Sequence, residues 1–184
     1  STQGGLPVVN RSQRPQPARD AALADLQRAI ALMADLDPAD FAPRAGVEPI
    51  PGVRTEHFGA GHTDNDLVVL LKKANVLHTG DLVFNGLWPF VDLSAGATSA
   101  GWIDALRRAR ALCSDNTVVV PGHGPVGGPE VLDRQADVLS LLRDRAAAAV
   151  RAGTPREEFV RRAPDGAPNL GFEQIRPLTL GGLY

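Results

Sequence analysis

Cysteine is nearly absent from this 184-residue chain, with Cys113 as its one example. A single cysteine excludes an internal disulfide and any zinc site built on a cysteine cluster. Cys113 lies near the end of a helical pattern, where a small core residue is the expected use. Methionine and tyrosine also occur once each, and aromatic residues make up only 5% of the chain. No apolar run approaches 18 residues, so no segment is expected to span a membrane. A basic excess is missing too, with 19 Lys and Arg against 21 Asp and Glu. Without a basic stripe to track phosphates, nucleic acid is not an expected partner. The densest basic cluster, Arg107, Arg108 and Arg110, falls on a predicted helix and is expected to be a solvated face. The chain opens Ser1-Thr2-Gln3-Gly4-Gly5, with neither Met nor the apolar region of a signal peptide. That start suggests a processed or trimmed product. A soluble protein is expected, with no choice between cytoplasm and periplasm.

The length suits one domain, able to bury roughly 70% of its unfolded surface in one core. Residues 1–18 are polar and Pro- and Arg-rich and are expected to form a flexible arm. The domain is then expected to run over residues 19–184. Leu23, Leu26, Ile30 and Met33 recur at helical spacing across 20–36, with Asp20 as N-cap and Pro38 after the end. Met33 is read as core filler. Residues 37–52 read as loop and 53–58 as a strand in which His57 is an ordinary member. Residues 67–71 form a continuous apolar run, expected of a strand covered on both faces. A polar turn, Lys72-Lys73-Ala74-Asn75, leads into a strand at 76–78 and makes a hairpin. Residues 82–98 show no clear period but gather Phe84, Trp88 and Phe90. A helix over 99–113 turns Trp102, Leu106 and Ala109 inward, and a short strand follows at 117–120. A long helix over 130–152 presents Val131, Val138, Leu139 and Leu142 to the core, with Gly153 at its C′ position. Thr154-Pro155-Arg156-Glu157 reads as a capping box with Pro at N1. Residues 174–180 read as an edge strand. Alternating strands and helices argue for α/β layers.

The chemistry is concentrated in three segments: Gly61-His62-Thr63-Asp64-Asn65-Asp66, His78-Thr79-Gly80-Asp81 and Pro121-Gly122-His123-Gly124. Each places a metal-type ligand close to glycine at the end of a β-type run. His62 precedes a buried strand; Gly61 allows close backbone approach, and Thr63 and Asp64 can hold the turn. A neutral imidazole there suits zinc. Asp81 ends the strand that begins at Val76, at the crevice where α/β proteins bind ligands. His78, three residues upstream on the strand, faces the other way and is left out of the site. His123, enclosed by Gly and Pro, has a rigid, exposed backbone setting.

In that order and spacing, the three segments resemble the later metal-binding motifs of the metallo-β-lactamase fold superfamily. Gly61 to Val69 is similar to zinc β-lactamases and periplasmic zinc hydrolases. Asp81-Leu82-Val83-Phe84 is similar to the glyoxalase II and hydrolase branches. The resemblance covers about residues 50–150. It implies an αββα sandwich, a mixed sheet flanked by helices, with two zinc ions. His62 would bind the first ion and His123 the second, with Asp81 bridging as the catalytic carboxylate. A metal-held hydroxide would then hydrolyse an ester, thioester or lactam of a small-molecule substrate. Core packing is the expected use of the rings between Phe84 and Phe90. Trp88 could instead wall a substrate pocket, with Asn85 donating a hydrogen bond to substrate.

One part of that family pattern is missing. The chain has four histidines, His57, His62, His78 and His123, and none forms the family's first motif, His-x-His-x-Asp-His. Each zinc would have one His and a shared Asp81, below the usual three protein ligands. The chain alone is therefore expected to bind zinc weakly and not to hydrolyse efficiently. Three accounts remain open: the C-terminal part of a longer protein, a half that pairs with a complementary N-terminal half, or a degenerate homologue. The last would serve ligand binding or oligomerisation without catalysis. A lone half would also expose an apolar sheet face, favouring association, including with further copies of itself.

Overall fold

The computed structural model describes residues 47–184 of the protein. The expectations for the arm at 1–18, the helix at 20–36 and Met33 lie outside these residues.

A mixed five-stranded sheet carries the structure. Its strands β1 (Val47–Ile50), β2 (Val53–Glu56), β3 (Val68–Leu71), β4 (Val76–Phe84) and β5 (Val118–His123) lie side by side in sequence order. The first three pairings are antiparallel and β4–β5 is parallel. A parallel pair cannot be closed by a tight turn, and helix α1 (Ser99–Ala111) supplies the crossover. Helices α2 (Glu130–Arg151), α3 (Arg156–Phe159) and α4 (Arg176–Leu183) follow.

The sheet register decides which residues meet the helices. Leu70, Leu77 and Val119 lie abreast, and they pack with Trp102, Leu106, Val131, Leu132 and Leu139 in one core cluster. The indole N–H of Trp102 donates to the Leu82 carbonyl at 2.9 Å and pins α1 to β4. The opposite face carries Val69, His78 and Val120 abreast, then Leu71, Val76 and Val118. Leu71 and Val118 are 38% and 40% exposed. Among the described residues, helices therefore flank the sheet on one face. The continuous apolar run of β3 suggested cover on both faces. Its Leu71 is instead exposed, because the run serves two faces of unlike burial.

Several elements depart from expectation. Part of the loop expected at 37–52 is β1, paired to β2 across Gly52, whose φ is +85°. The strand expected to stop at 78 continues to Phe84, since Leu82, Val83 and Phe84 are buried. The strand at 117–120 extends through Pro121 and Gly122 to His123. Helix α3 is capped by Pro155 in an extended conformation, without a side-chain hydrogen bond. The Thr154 capping box therefore does not form. The predicted edge strand at 174–180 is a 3-10 turn, Glu173–Ile175, followed by α4. Pro177 falls in the first turn of α4, where its missing N–H costs nothing, and Leu180 is fully buried with Trp88, Leu142 and Leu170.

Candidate metal centre

His62 sits on a loop tied down from two sides. The Asp66 carboxylate accepts from the Thr63 backbone N–H and from its hydroxyl, both at 2.9 Å. Asp66, rather than Asp64, thus holds the turn through its side chain. Asp64 contributes its backbone N–H, which donates to Ala95. On the other side, α1 is capped by Thr98, whose hydroxyl accepts from the Gly101 N–H. A Cβ on Gly101 would lie 2.0 Å from the Ala60 carbonyl oxygen. Only glycine lets the helix start seat against this loop.

The His62 ring is buried, 8% exposed, among Phe84, Phe90 and Trp102, with centroids 5.2 to 6.2 Å away. Its Nδ1 lies 2.8 Å from the Phe90 carbonyl oxygen. A carbonyl can only accept, so Nδ1 carries the proton and Nε2 keeps its lone pair. Metal-binding histidines are oriented in this way by a second partner.

Asp81 is aimed by a local break in β4. Gly80 adopts φ +52°, and the β4–β5 register shifts on either side of it. Bulges of this kind re-aim a side chain. Asp81 thus lies inside β4, three residues before its end, and not at the strand terminus as expected. His123 closes β5 opposite Phe84, and its ring stacks on the Phe84 ring at 4.6 Å and 23°. Phe84 therefore contacts both imidazoles.

These elements bring the three expected residues together. His62 Nε2 lies 3.8 Å from Asp81 Oδ2, and His123 Nε2 lies 3.5 Å from Asp81 Oδ1. Each histidine addresses a different oxygen of one carboxylate, at separations beyond a direct hydrogen bond. Asp81 and His123 are about half exposed, with side chains 45% and 40% accessible, so the group opens to solvent. Among the described residues, no set of three or more His, Cys, Asp or Glu side chains is arranged to hold a metal ion. The donors are right in kind for zinc and short in number.

The other candidates stand outside this group. His78 is exposed, and its Nδ1 accepts from the Gly80 N–H at 3.1 Å. His57 follows β2 and its Nδ1 bonds the Asp66 carbonyl. Trp88 is only 1% exposed, in the second core cluster, and its indole N–H donates to Glu173. It packs rather than walls a pocket. Asn85 neighbours His123, whose carbonyl accepts from its backbone N–H at 2.9 Å; it lines a cavity of about 530 Å³, and its side-chain amide donates to the Pro125 carbonyl at 2.7 Å. The Phe90 carbonyl and the Trp102 ring were not anticipated at the site. A main-chain acceptor has no sequence signature, and Trp102 was assigned only to the helix core.

The family model of the metallo-beta-lactamase superfamily matches residues 8–123, a stretch that includes His62, Asp81 and His123. Metallo-beta-lactamase type 2 of Bacteroides fragilis is 26% identical over 84 residues, 46% of this chain and 34% of that protein. The solved structure of VMB-1 is 26% identical with a TM-score of 0.48, over 53% of this chain and 45% of that one. The metallo-beta-lactamase FIM-1 from Pseudomonas aeruginosa, in its mono-zinc form, is 22% identical with a TM-score of 0.47, over 52% of this chain and 42% of that one. The chain thus matches about a third of the Bacteroides fragilis protein's length and less than half of either structure.

Proposed function

Because the chain belongs to the metallo-β-lactamase superfamily, we propose that it is a zinc-dependent metallohydrolase domain that acts, when its centre is complete, on an ester, thioester or lactam. The shared carboxylate carries this reading, with one oxygen of Asp81 toward each histidine. His62 would hold one zinc ion, His123 the other, and Asp81 would bridge them. The chain's own contribution is orientation. The Phe90 carbonyl keeps the His62 proton on Nδ1, and Phe84 braces both rings.

Two protein donors per ion fall below the three usual in catalytic zinc sites, and no His-x-His-x-Asp-His segment occurs in the 184 residues. Catalysis in this reading needs donors from further polypeptide, whether covalently continuous or a complementary partner. The chain by itself binds zinc weakly and does not turn over substrate efficiently. The same shortage favours a second reading, a non-catalytic domain of the family used for ligand binding or oligomerisation.

Zinc uptake by equilibrium dialysis separates these readings. Saturable uptake is expected, reduced in His123→Ala, nearly lost in Asp81→Ala, and unchanged in His78→Ala. A chromogenic cephalosporin and a glutathione thioester should both remain intact with the chain alone. Uptake that ignores Asp81→Ala and His123→Ala would sink the hydrolase reading in favour of the second.

A further inference from the structure

The two histidines of the centre are held in different ways. His62 is oriented through its ring, by the Phe90 carbonyl at Nδ1, the usual arrangement for a metal-binding histidine. The His123 ring has no such partner among the described residues. Its neighbours are the Phe84 ring at 4.6 Å, the Phe172 ring at 6.0 Å and Asp81 Oδ1 at 3.5 Å. The direction of this ring therefore depends on how its main chain is fixed.

The main chain after His123 folds around one residue, Asn85. The Asn85 backbone N–H donates to the His123 carbonyl at 2.9 Å, and its side-chain Nδ2 donates to the Pro125 carbonyl at 2.7 Å. A carbonyl only accepts, so the amide must present its nitrogen there and its orientation is settled. Between the two carbonyls lies Gly124, at φ +91°. A Cβ on Gly124 would sit 2.2 Å from the Asn85 carbonyl oxygen, so the turn closes on Asn85 only with glycine at this point. Glycine also has the widest choice of backbone angles, and an untied turn here would let His123 swing. The next tie along the chain is Gly127, which exchanges two main-chain hydrogen bonds with Val119 at 2.8 and 3.1 Å. Both ties that flank Gly124 thus come from Asn85. Any residue but proline makes the backbone one; the other needs a side-chain donor at this position.

We propose that Asn85 is a positioning residue for His123. Its amide, through the Pro125 carbonyl, locks the glycine turn and so holds the imidazole on Phe84 and toward Asp81. The purpose of that lock rests on the zinc reading of the centre; the lock itself does not require metal.

Nuclear magnetic resonance of the zinc-free chain tests the lock directly. An imidazole stacked on Phe84 has its proton signals displaced by the ring current of the phenyl group. With four histidines in the chain, the His123 signal is assigned by its loss in His123→Ala. Asn85→Leu keeps the branched shape of the amide and removes its donor. The His123 signal should then move toward that of an unstacked imidazole, while those of His57, His62 and His78 stay and report an intact fold. Zinc uptake by this variant should weaken roughly two- to tenfold, the worth of one hydrogen bond. Tyr184→Phe removes another side-chain bond to the main chain, from the Tyr184 hydroxyl to the Thr154 carbonyl. It should lower the urea midpoint without moving the His123 signal or the uptake. A His123 signal unchanged in Asn85→Leu, or moved equally by Tyr184→Phe, overturns the proposal. So does undiminished uptake in Asn85→Leu when the parent chain binds zinc. A moved signal in Asn85→Leu beside a parent that takes up no zinc would uphold the positioning and sink the zinc reading instead.

Discussion

A Cβ placed on Gly122 would lie 2.1 Å from Asp81 Oδ1 and 2.7 Å from the Gly80 carbonyl carbon. The collision is with backbone on one side and with the carboxylate on the other. β5 can approach the bulge of β4 only because this residue has no side chain. Gly122→Ala is therefore expected to cost about 1–3 kcal/mol, as overpacking does, and to turn Asp81 away from His123. Urea unfolding measures the first effect, and the zinc uptake described above measures the second. A variant as stable as the parent would mean that β5 shifts freely here. The same residue shows why the centre was legible early. His62, Asp81 and His123 all stand within one residue of a glycine, and glycine marks close backbone approach whatever the fold. The second layer was not legible in the same way. The Phe90 carbonyl belongs to the main chain, and Phe84 becomes a brace only when the β4–β5 register sets it opposite His123. Trp88, a ring near the site in sequence, turns into the core, the use expected of the rings between Phe84 and Phe90.

The elements that hold the site differ in how their ends are secured. The short 3-10 turn Leu93–Ala95, which receives the Asp64 N–H, is capped by Asp92. Hydrogen bonding by the Ser94 hydroxyl, and then by the Ala95 and Ser94 N–H groups, holds the Asp92 carboxyl below its ordinary value. A carboxylate with a lowered native pKa stabilises the fold above its unfolded pKa, and that contribution is lost as pH falls through the native value. The parent chain should thus exceed Asp92→Asn in unfolding midpoint at neutral pH, and the difference should vanish in acid. A pH-independent difference between the two would show that the cap acts through shape rather than charge. Helices α1 and α2 were legible from apolar spacing, because both lay one broad face on the sheet. Helix α4 was not. Its Leu178 and Leu180 alternate around Thr179 as in a strand, yet Thr179 is buried and donates its hydroxyl to the Pro89 carbonyl at 2.6 Å. The Ile175 carbonyl, at 3.2 Å, is a longer local alternative; the closer acceptor is tertiary, and no local pattern announces it.

At the scale of the whole molecule, two apolar clusters are joined through α2. Leu139 belongs to the cluster under the sheet, while Leu142, one turn on, belongs to the cluster of Trp88, Leu170 and Leu180. Leu183 touches both. A shared rigid helix makes local loss in one cluster a cost to the other, so the described residues should unfold as one cooperative unit. Leu180→Ala tests this far from the histidines. Leu180 is fully buried, and truncating such a side chain costs about 2–5 kcal/mol through lost transfer energy and the cavity left behind. The chain's two tryptophans report the outcome from both clusters, since Trp88 lies in the second and Trp102 in the first. Urea unfolding followed by fluorescence should give one transition, moved to lower urea with its slope unchanged. Two transitions, with Trp88 exposed before Trp102, would instead mean that α4 and its cluster melt independently. In that case α4 would be an appendage of the sheet and its helices rather than part of one core.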